Sequence, residues 1–294
     1  ERLEAKIAGA QAQVVCDIGF YFGTLGDNFA EFPKIIGKVK GLKVYLGATT
    51  GNFTVAKAKL RDIYKAWPGD KPILLHADDD ASDAVRDALE ATRKPTHICH
   101  VSSQAELELV IKAKEAGLPI TCGVTPHHLF LTDEDAERLG DYGRMKPPLK
   151  SRADQDFLWS HLDAIDVIES DHAPHTRAEK DSGSPHFGVP GLETTLPLML
   201  TAEAEGKLTR QQLTDRLYTN PARIFEIATD ENTYVEVDMS EHEITSEGLH
   251  TKAGWTPFAG TRVIGKVARV ILRGKTVYEE GKVLAAPGSG QMLS

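Results

Sequence analysis

The sequence is poor in cysteine and has no long run of apolar residues. Its three cysteines, Cys16, Cys99 and Cys122, are odd in number and form no Cys-x-x-Cys pair, unlike the cysteines of a disulfide-stabilised secreted domain. No apolar run reaches the roughly 18 residues that a membrane-spanning helix needs, and the first residues do not resemble a signal peptide. We therefore expect a cytoplasmic protein that has no membrane partner.

Positive charge is also scarce. The chain has 34 Lys and Arg residues against 43 Asp and Glu residues, which gives a formal net charge of -9 over 294 residues. Phosphate backbones are bound by basic surfaces, and the sequence contains no Lys/Arg cluster. This balance argues against a nucleic-acid partner and favours a small molecule.

Short apolar runs alternate with longer amphipathic stretches through about the first two thirds of the chain. This alternation is typical of βαβ units around a parallel sheet. The apolar spacing within residues 83–92 and 104–116 predicts two helices that cover the outside of that sheet. Six strands are predicted, at residues 14–20, 42–46, 73–76, 97–101, 120–124 and 167–170.

The placement of polar residues at the C-terminal ends of these strands favours a (β/α)8 TIM-type barrel over an open doubly wound sheet. A complete barrel has eight strands, so its first two strands are expected upstream of this sequence. Residues 265–278 instead predict a β-hairpin that turns at Arg273-Gly274. We therefore expect an incomplete barrel domain over residues 1–228, followed by an extension and part of a small β-domain over residues 229–294.

Four polar side chains lie within or at the ends of apolar strands: Lys43, His76, His100 and Asp171. A lysine in a buried strand is costly unless it is paired, neutralised or modified. A single histidine at a strand end is more often a hydrogen-bonded rim residue than a ligand. Imidazoles and a carboxylate that converge on one barrel pocket, however, are ligands that suit zinc. The joint pattern therefore predicts a metal site.

Longer motifs connect this pattern to a known family. The strand lysine, the two single histidines and Ser-Asp-His-Ala-Pro-His at residues 170–175 occur in the order typical of the amidohydrolase superfamily. Thr-Pro-His-His-Leu at residues 125–129 and Val-Pro-Gly-Leu-Glu-Thr at residues 189–194 are similar to segments of dihydroorotases. The sequence therefore resembles the dihydroorotase family over nearly its whole length.

The resemblance implies a centre with two zinc ions. Lys43 would be carboxylated on its amine, and the carbamate would bridge the two ions. His76 and His100 would bind one ion, whereas Asp171 would bind the other and serve as the general acid and base. The family's His-x-His pair, which would complete the second site from the first barrel strand, does not occur in the sequence. We therefore expect the sequence to be a fragment, or the ordered part, of a longer protein.

The resemblance also implies a set of substrate contacts. His175 and the backbone around Pro190 and Gly191 would hold the substrate ring. Lys146, in Arg-Met-Lys-Pro-Pro-Leu, is a candidate contact for an anionic group.

Two further features lie near the predicted centre. Thr49 and Thr50 are similar to a threonine-bearing lid of some dihydroorotases, and their segment is equally compatible with an ordinary polar turn. Cys99 precedes His100 and is expected to face the opposite side of the strand. Animal-type dihydroorotases can use this cysteine with a glutamate at a further zinc position, but Gly123 occupies the place of that glutamate. A third metal is therefore not expected.

The activity implied by the resemblance is hydrolysis of a cyclic amide and its reverse. The substrate pair would be N-carbamoyl-L-aspartate and L-dihydroorotate, in de novo pyrimidine biosynthesis. The alternatives are an allantoinase or dihydropyrimidinase relative and a non-catalytic dihydroorotase-like subunit. The Asp-His-Ala-Pro-His and Pro-Gly-Leu-Glu motifs favour the first reading, and retention of Lys43 in a strand argues against the last. A homodimer is compatible with the resemblance, although the sequence does not give the oligomeric state.

Overall fold

A parallel sheet forms the centre of the structure. The computed structural model describes residues 2–47, 51, 53–77, 81–184 and 186–294. Its strands are β1 (Ile18–Gly19), β2 (Tyr21–Gly23), β3 (Gly41–Tyr45), β4 (Ile73–His76), β5 (Thr96–Ile98), β6 (Ile120–Val124), β7 (Val167–Ile168), β8 (Tyr234–Glu243), β9 (Arg262–Leu272), β10 (Lys275–Glu279), β11 (Lys282–Val283) and β12 (Met292–Leu293). Strands β2 to β7 form one six-stranded sheet in sequential order, and each neighbouring pair is parallel. This is the strand arrangement of a TIM-type barrel wall, as predicted.

The predicted strands agree best with the structure in the middle of this sheet. Residues 73–76 and 120–124 match β4 and β6 residue for residue. The prediction for residues 14–20 is wrong in its bounds, because the run contains only the two-residue strand β1. Strand β1 pairs with β12 from the far end of the chain, and the edge strand of the central sheet is the next one, β2. A local apolar pattern does not reveal such a long-range partner.

Helices cover the outside of the parallel sheet. The α-helices are α1 (Arg2–Gln11), α2 (Phe32–Ile35), α3 (Leu60–Ala66), α4 (Ser82–Thr92), α5 (Gln104–Glu115), α6 (Pro126–Phe130), α7 (Asp133–Leu139), α8 (Arg152–Ser160), α9 (Arg177–Lys180), α10 (Leu192–Ala204), α11 (Arg210–Thr214) and α12 (Asn220–Ile224). Short 3-10 helices occupy Phe29–Glu31, Ile36–Lys38, Lys57–Lys59, Gly140–Gly143 and Leu162–Ala164, and a π-helical turn occupies Asp215–Thr219. None of the helices in the described part of the chain is long and apolar enough to span a membrane.

The two helices predicted from apolar spacing are confirmed as α4 and α5. Helix α5 begins after Ser103 because the Ser103 hydroxyl accepts the Glu106 N–H, while the Glu106 side chain accepts the Ser103 N–H. Val85 on α4 and Val110 on α5 are buried in the core between the helices and the sheet. Burying the apolar faces of the helices in this way holds the strand ends, and thus the polar residues that follow them, at one edge of the sheet.

The C-terminal part of the chain forms a separate antiparallel sheet with strand order β11-β10-β9-β8. The predicted hairpin is confirmed: Leu272 pairs with Lys275 across a two-residue turn. Both turn residues, Arg273 and Gly274, have positive φ angles, of 52° and 75°. A two-residue hairpin turn needs such angles to match the right-handed twist of its strands. The division of the chain at residues 228/229 stays a prediction.

The segment between β8 and β9 returns to the loops at the C-terminal edge of the parallel sheet. There Trp255 and Phe258 are buried in a second apolar cluster, together with Met145 and Val189 from those loops. The C-terminal part of the chain therefore packs directly beside the segments that carry the predicted substrate contacts.

Candidate active site

Lys43 lies in the middle of β3, and its side chain points toward the next strands of the sheet. Its Nζ atom lies 3.0 Å from the Sγ atom of Cys99 and 5.0 Å from the ring centroid of Tyr45. The expectation that Cys99 faces away from the site is therefore wrong. The physical reason is that His100 has a φ angle of 41°, so the chain leaves the extended conformation and the strict alternation of sides ends there.

His76 and His100 come together at the C-terminal edge of the sheet. The Nδ1 atom of His76 lies 2.9 Å from the Nε2 atom of His100, and the two rings meet edge to face at a centroid distance of 4.6 Å. The Nδ1 atom of His100 is buried and makes no hydrogen bond within the described residues. Burial and the charge of Lys43 lower the pKa of His100 well below its ordinary value. The neutral imidazole is the form that binds metals.

Asp171 follows β7 at the same edge. Its φ angle of 39° is positive, as is that of His100, and such backbone conformations are unusual for residues other than glycine. Strained residues of this kind cluster at functional sites, where the surrounding structure holds them. Burial, together with the nearby Glu169 carboxylate, raises the pKa of Asp171 to about 6.

Glu169 is a site residue that the sequence analysis missed. Its carboxylate accepts the backbone N–H of His100, and its Oε2 atom lies 3.8 Å from Nε2 of His97. It occupies the space above Gly123, where an added Cβ would lie 2.6 Å from Cδ of Glu169. Glu169 therefore helps to hold the strained backbone of His100. Its place directly after the apolar strand β7, two residues before Asp171, is the signal that could have identified it.

Ligand atoms of His97, Cys99 and Glu169 all lie within 4.8 Å of one another. Imidazole, thiolate and carboxylate groups are the ligands that zinc uses in proteins. Together with His76 and His100, these residues make the C-terminal edge of β4 to β7 rich in potential metal donors. The donor set and the buried Nδ1 atom of His100, which makes no hydrogen bond within the described residues, fit a metal centre.

The predicted substrate contacts gather around one loop. The Nε2 atom of His175 lies 3.2 Å from the carbonyl oxygen of Phe187, and the Nζ atom of Lys146 lies 5.2 Å from the centroid of the Phe187 ring. The structure thus brings His175 and Lys146 to the same residue. Thr49 and Thr50 lie outside the described residues.

Pro190 and Gly191 adjoin the Asp171 segment. The N–H of Gly191 donates to Nδ1 of His172 at 3.1 Å, and a Cβ at position 191 would lie 2.5 Å from the carbonyl oxygen of Ser170. Only glycine permits this close approach, which keeps the Pro-Gly backbone beside Asp171.

No protein-family model matches the chain. It is 43% identical over 292 residues to the multifunctional protein CAD of Squalus acanthias, an alignment that covers 98% of this chain and 13% of that protein. It is 37% identical to the dihydroorotase of Pyrococcus furiosus over 83% of this chain and 63% of that enzyme. A dihydroorotase of Halobacterium salinarum is 34% identical, over 98% of this chain and 76% of the relative. The chain thus spans 13% of CAD and less than two thirds of the Pyrococcus enzyme.

Two solved structures illustrate the fold. The L-hydantoinase (dihydropyrimidinase) of Arthrobacter aurescens is 23% identical and superposes with a TM-score of 0.91, over 99% of this chain and 77% of that one. The inactive dihydroorotase-like domain of the Chaetomium thermophilum CAD-like multifunctional protein is 26% identical, with a TM-score of 0.83 over 99% of this chain and 83% of that one.

Proposed function

The chain belongs to the dihydroorotase family, and on that premise we propose that it carries the catalytic site of a zinc-dependent dihydroorotase. The reaction is the reversible cyclisation of N-carbamoyl-L-aspartate to L-dihydroorotate in de novo pyrimidine biosynthesis. Family membership rests on relatives such as the Halobacterium enzyme, which is 34% identical and of which the chain covers 76%.

The observation that carries the proposal is the convergence of His76 and His100, whose ring nitrogens lie 2.9 Å apart. They come from adjacent parallel strands and meet at the edge where barrel enzymes assemble their active sites. Asp171 follows the last strand of the same sheet at that edge. The wall of an apolar barrel does not require two imidazoles to meet in this way, whereas a metal centre does.

In this proposal, Lys43, His76, His100 and Asp171 hold the metal. Zinc suits the imidazole and carboxylate donors. A carboxylated Lys43 would bridge two ions as an anionic ligand. Carboxylation would thereby remove a cation that is costly to keep within the strand. When bound, zinc supplies Lewis-acid activation of the amide carbonyl and of water.

Asp171 moves the proton. In the hydrolytic direction its carboxylate accepts a proton as water adds to the ring carbonyl, and it returns that proton to the ring nitrogen as the C–N bond breaks. In the biosynthetic direction the carbamoyl nitrogen of carbamoyl aspartate loses a proton to Asp171 as the C–N bond forms, and Asp171 returns that proton to the departing hydroxyl oxygen, which leaves as water.

The substrate contacts are His175, Lys146 and the backbone around Pro190 and Gly191. Dihydroorotate carries a carboxylate and ring carbonyls, which are acceptors for a cation and for hydrogen-bond donors. The side chain of His175 is 19% exposed, so it is accessible to a ligand, and its contact with Phe187 sets its direction. The placement of Lys146 beside Phe187 supports a shared role.

The compartment and assembly are also part of the proposal. The three cysteines are free thiols, two of them buried, which supports a location in the reducing cytoplasm. The homodimer stays a prediction.

Two rival functions share this fold. A hydantoinase-type enzyme is structurally similar, but at 23% identity that likeness concerns the fold alone. A non-catalytic homologue is favoured by the likeness to the inactive Chaetomium domain, whereas the converging His76 and His100 argue for a working site.

The test is a substrate panel on the full-length protein loaded with zinc. We expect turnover of L-dihydroorotate, with hydantoin, allantoin and dihydrouracil at least about 100-fold poorer in kcat/KM, because a site built for hydrogen-bonding groups rejects analogues that lack them. A preference for hydantoin or allantoin would replace the assignment with the first rival. Absence of all turnover in zinc-loaded protein would support the second.

A further inference from the structure

The segment at residues 251–258, called the strap here, crosses the loop that carries His175. Trp255 in the strap is 2% exposed, and its indole N–H donates to the backbone carbonyl of His175 at 2.7 Å. The two residues are 80 positions apart in sequence. We propose that Trp255 is a positioning residue that fixes His175 for substrate binding. This inference rests on the proposed function, because it gives His175 its substrate.

A cation lies against the indole ring of Trp255. The Nζ atom of Lys180 lies 5.4 Å from the ring centroid and donates to the carbonyl oxygens of Arg144 and His186, at 3.0 Å and 2.8 Å. The ring of Tyr142 meets the indole edge to face at 4.9 Å. A cation with two carbonyl partners and an aromatic face is well held even when buried. Trp255 and Lys180 therefore form one unit, the Trp255–Lys180 clamp.

The clamp joins both segments that carry predicted substrate contacts. Lys180 donates to the carbonyl oxygen of His186. The carbonyl oxygen of the next residue, Phe187, accepts a hydrogen bond from Nε2 of His175 at 3.2 Å, and the Phe187 ring lies under Lys146. The Arg144 carbonyl, also held by Lys180, is two residues before Lys146. Movement of the clamp would therefore displace His175 and Lys146 together.

The strap is anchored on the N-terminal side of Trp255. The Glu193 carboxylate accepts the N–H groups of His250 and Thr251 at 2.8 Å and 2.9 Å, and the guanidinium of Arg177 donates to the carbonyl of Gly254 at 3.1 Å. Glu193 follows the Pro-Gly backbone at residues 190–191 closely in sequence. The strap thus connects the Pro-Gly backbone at residues 190–191 with the loop that carries His175. Trp255 is its contact with His175.

The obvious alternative is that Trp255 contributes only stability. Trp255→Phe distinguishes the two roles, because it removes the indole N–H and keeps an aromatic ring over Lys180. Trp159→Phe is a matched control: the indole of Trp159 also donates to a backbone carbonyl at 2.7 Å, that of Leu129, and none of the predicted substrate contacts that the structure describes is among its partners. A purely structural effect would be similar in the two variants.

The experiment uses the full-length protein and two readouts. The first is steady-state hydrolysis of L-dihydroorotate. We expect Trp255→Phe to raise KM about tenfold with kcat within about twofold, the pattern of lost uniform binding, and Trp159→Phe to leave KM unchanged. The second readout is the rate at which diethyl pyrocarbonate modifies His175, followed by peptide mass spectrometry, which needs no substrate. We expect this rate to rise in Trp255→Phe alone.

The two readouts separate this inference from the proposed function. A wild-type protein that does not turn over dihydroorotate contradicts the proposed function, and the modification rates still test whether Trp255 positions His175. An unchanged modification rate in Trp255→Phe, or an equal change in Trp159→Phe, overturns the positioning role. A changed modification rate with an unchanged KM in active enzyme overturns its link to substrate binding.

Discussion

The Nδ1 atom of His76, the last residue of β4, lies 2.9 Å from the Nε2 atom of His100, which follows β5. The contact depends on the positive φ angle of His100, which turns its side chain into the site, and on Glu169, which accepts the His100 N–H. The site is therefore assembled by the backbone at a strand end as well as by side chains.

The first prediction concerns His100 as a ligand. His100→Ala should reduce bound zinc and lower kcat by about 10³-fold or more, because metal activation supplies several kcal/mol of transition-state stabilisation. Metal content per chain and dihydroorotate hydrolysis measure the two effects. His161→Ala, which changes an exposed histidine stacked on Phe157, is the control and should alter neither. Normal zinc in His100→Ala would remove it from the ligand set.

Asp171 is predicted to be the proton carrier. Asp171→Asn retains the size of the side chain but cannot exchange the proton, so kcat should fall by about 10²–10⁴-fold in both directions of the reaction. Assays of ring opening and ring closure in the same preparation check the prediction. A kcat close to that of the wild type in Asp171→Asn would contradict its role as the acid and base.

The packing of Glu169 against Gly123 gives a prediction about stability. Gly123→Ala places a methyl group 2.6 Å from Cδ of Glu169, so it should destabilise the fold by about 1–3 kcal/mol and reduce activity by displacing the support of His100. Urea unfolding measures the first effect. Gly9→Ala is the control, since no atom of the described residues lies within 4 Å of a Cβ added there.

A double variant tests the cause of that loss. Glu169→Ala creates room for the methyl group, so the destabilisation in Gly123→Ala/Glu169→Ala should be smaller than the sum of the single effects. Strict additivity would show that the two positions do not compete for space.

Sequence patterns were sufficient for the middle of the sheet and insufficient at the places where distant segments meet. Strands β4 and β6 are apolar runs bounded by turn residues, so their bounds are local information. The bounds of β1 depend on pairing with β12, and the indole contact of Trp255 with His175 spans 80 residues. Neither relationship has a local signature.

In the candidate site, too, the features with a local sequence pattern were predicted and those that depend on distant segments were not. The motif order predicted metal-binding roles for Lys43, His76, His100 and Asp171, which stay predictions. The expected orientation of Cys99 was wrong because alternation fails at the positive φ angle of His100. Glu169 was missed because its role depends on the space above Gly123, which belongs to the neighbouring strand.

Lys180 gives a prediction about pH. Burial lowers its pKa to about 8, with a smaller opposing effect from Asp141. In the unfolded chain its pKa is about 10.4. Between these values the unfolded state binds more protons, so the contribution of Lys180 to folding stability rises with pH in this window.

The measurement is the free energy of unfolding of the wild type and of Lys180→Met at several pH values. From about pH 7.5 to about pH 9.5 the wild type should gain about 1–2 kcal/mol relative to the variant. The hydrogen bonds from Nζ to the carbonyl oxygens of Arg144 and His186 favour the charged form of Lys180. We therefore expect the gain in unfolding free energy to lie in the lower part of the energy range given above. Parallel pH curves for the two proteins would show that the Lys180 pKa is the same in both states.

The most direct test of the account is the effect of Lys43 on zinc content and activity in the full-length protein. The wild type should bind about two zinc ions per chain at this centre and hydrolyse L-dihydroorotate, with a mass increase on the Lys43 peptide that corresponds to one carboxyl group under conditions that preserve it. Lys43→Ala should lose most of that zinc and lower kcat by about 10³-fold or more, since the bridging ligand is gone. Full activity with normal zinc in Lys43→Ala would contradict the account.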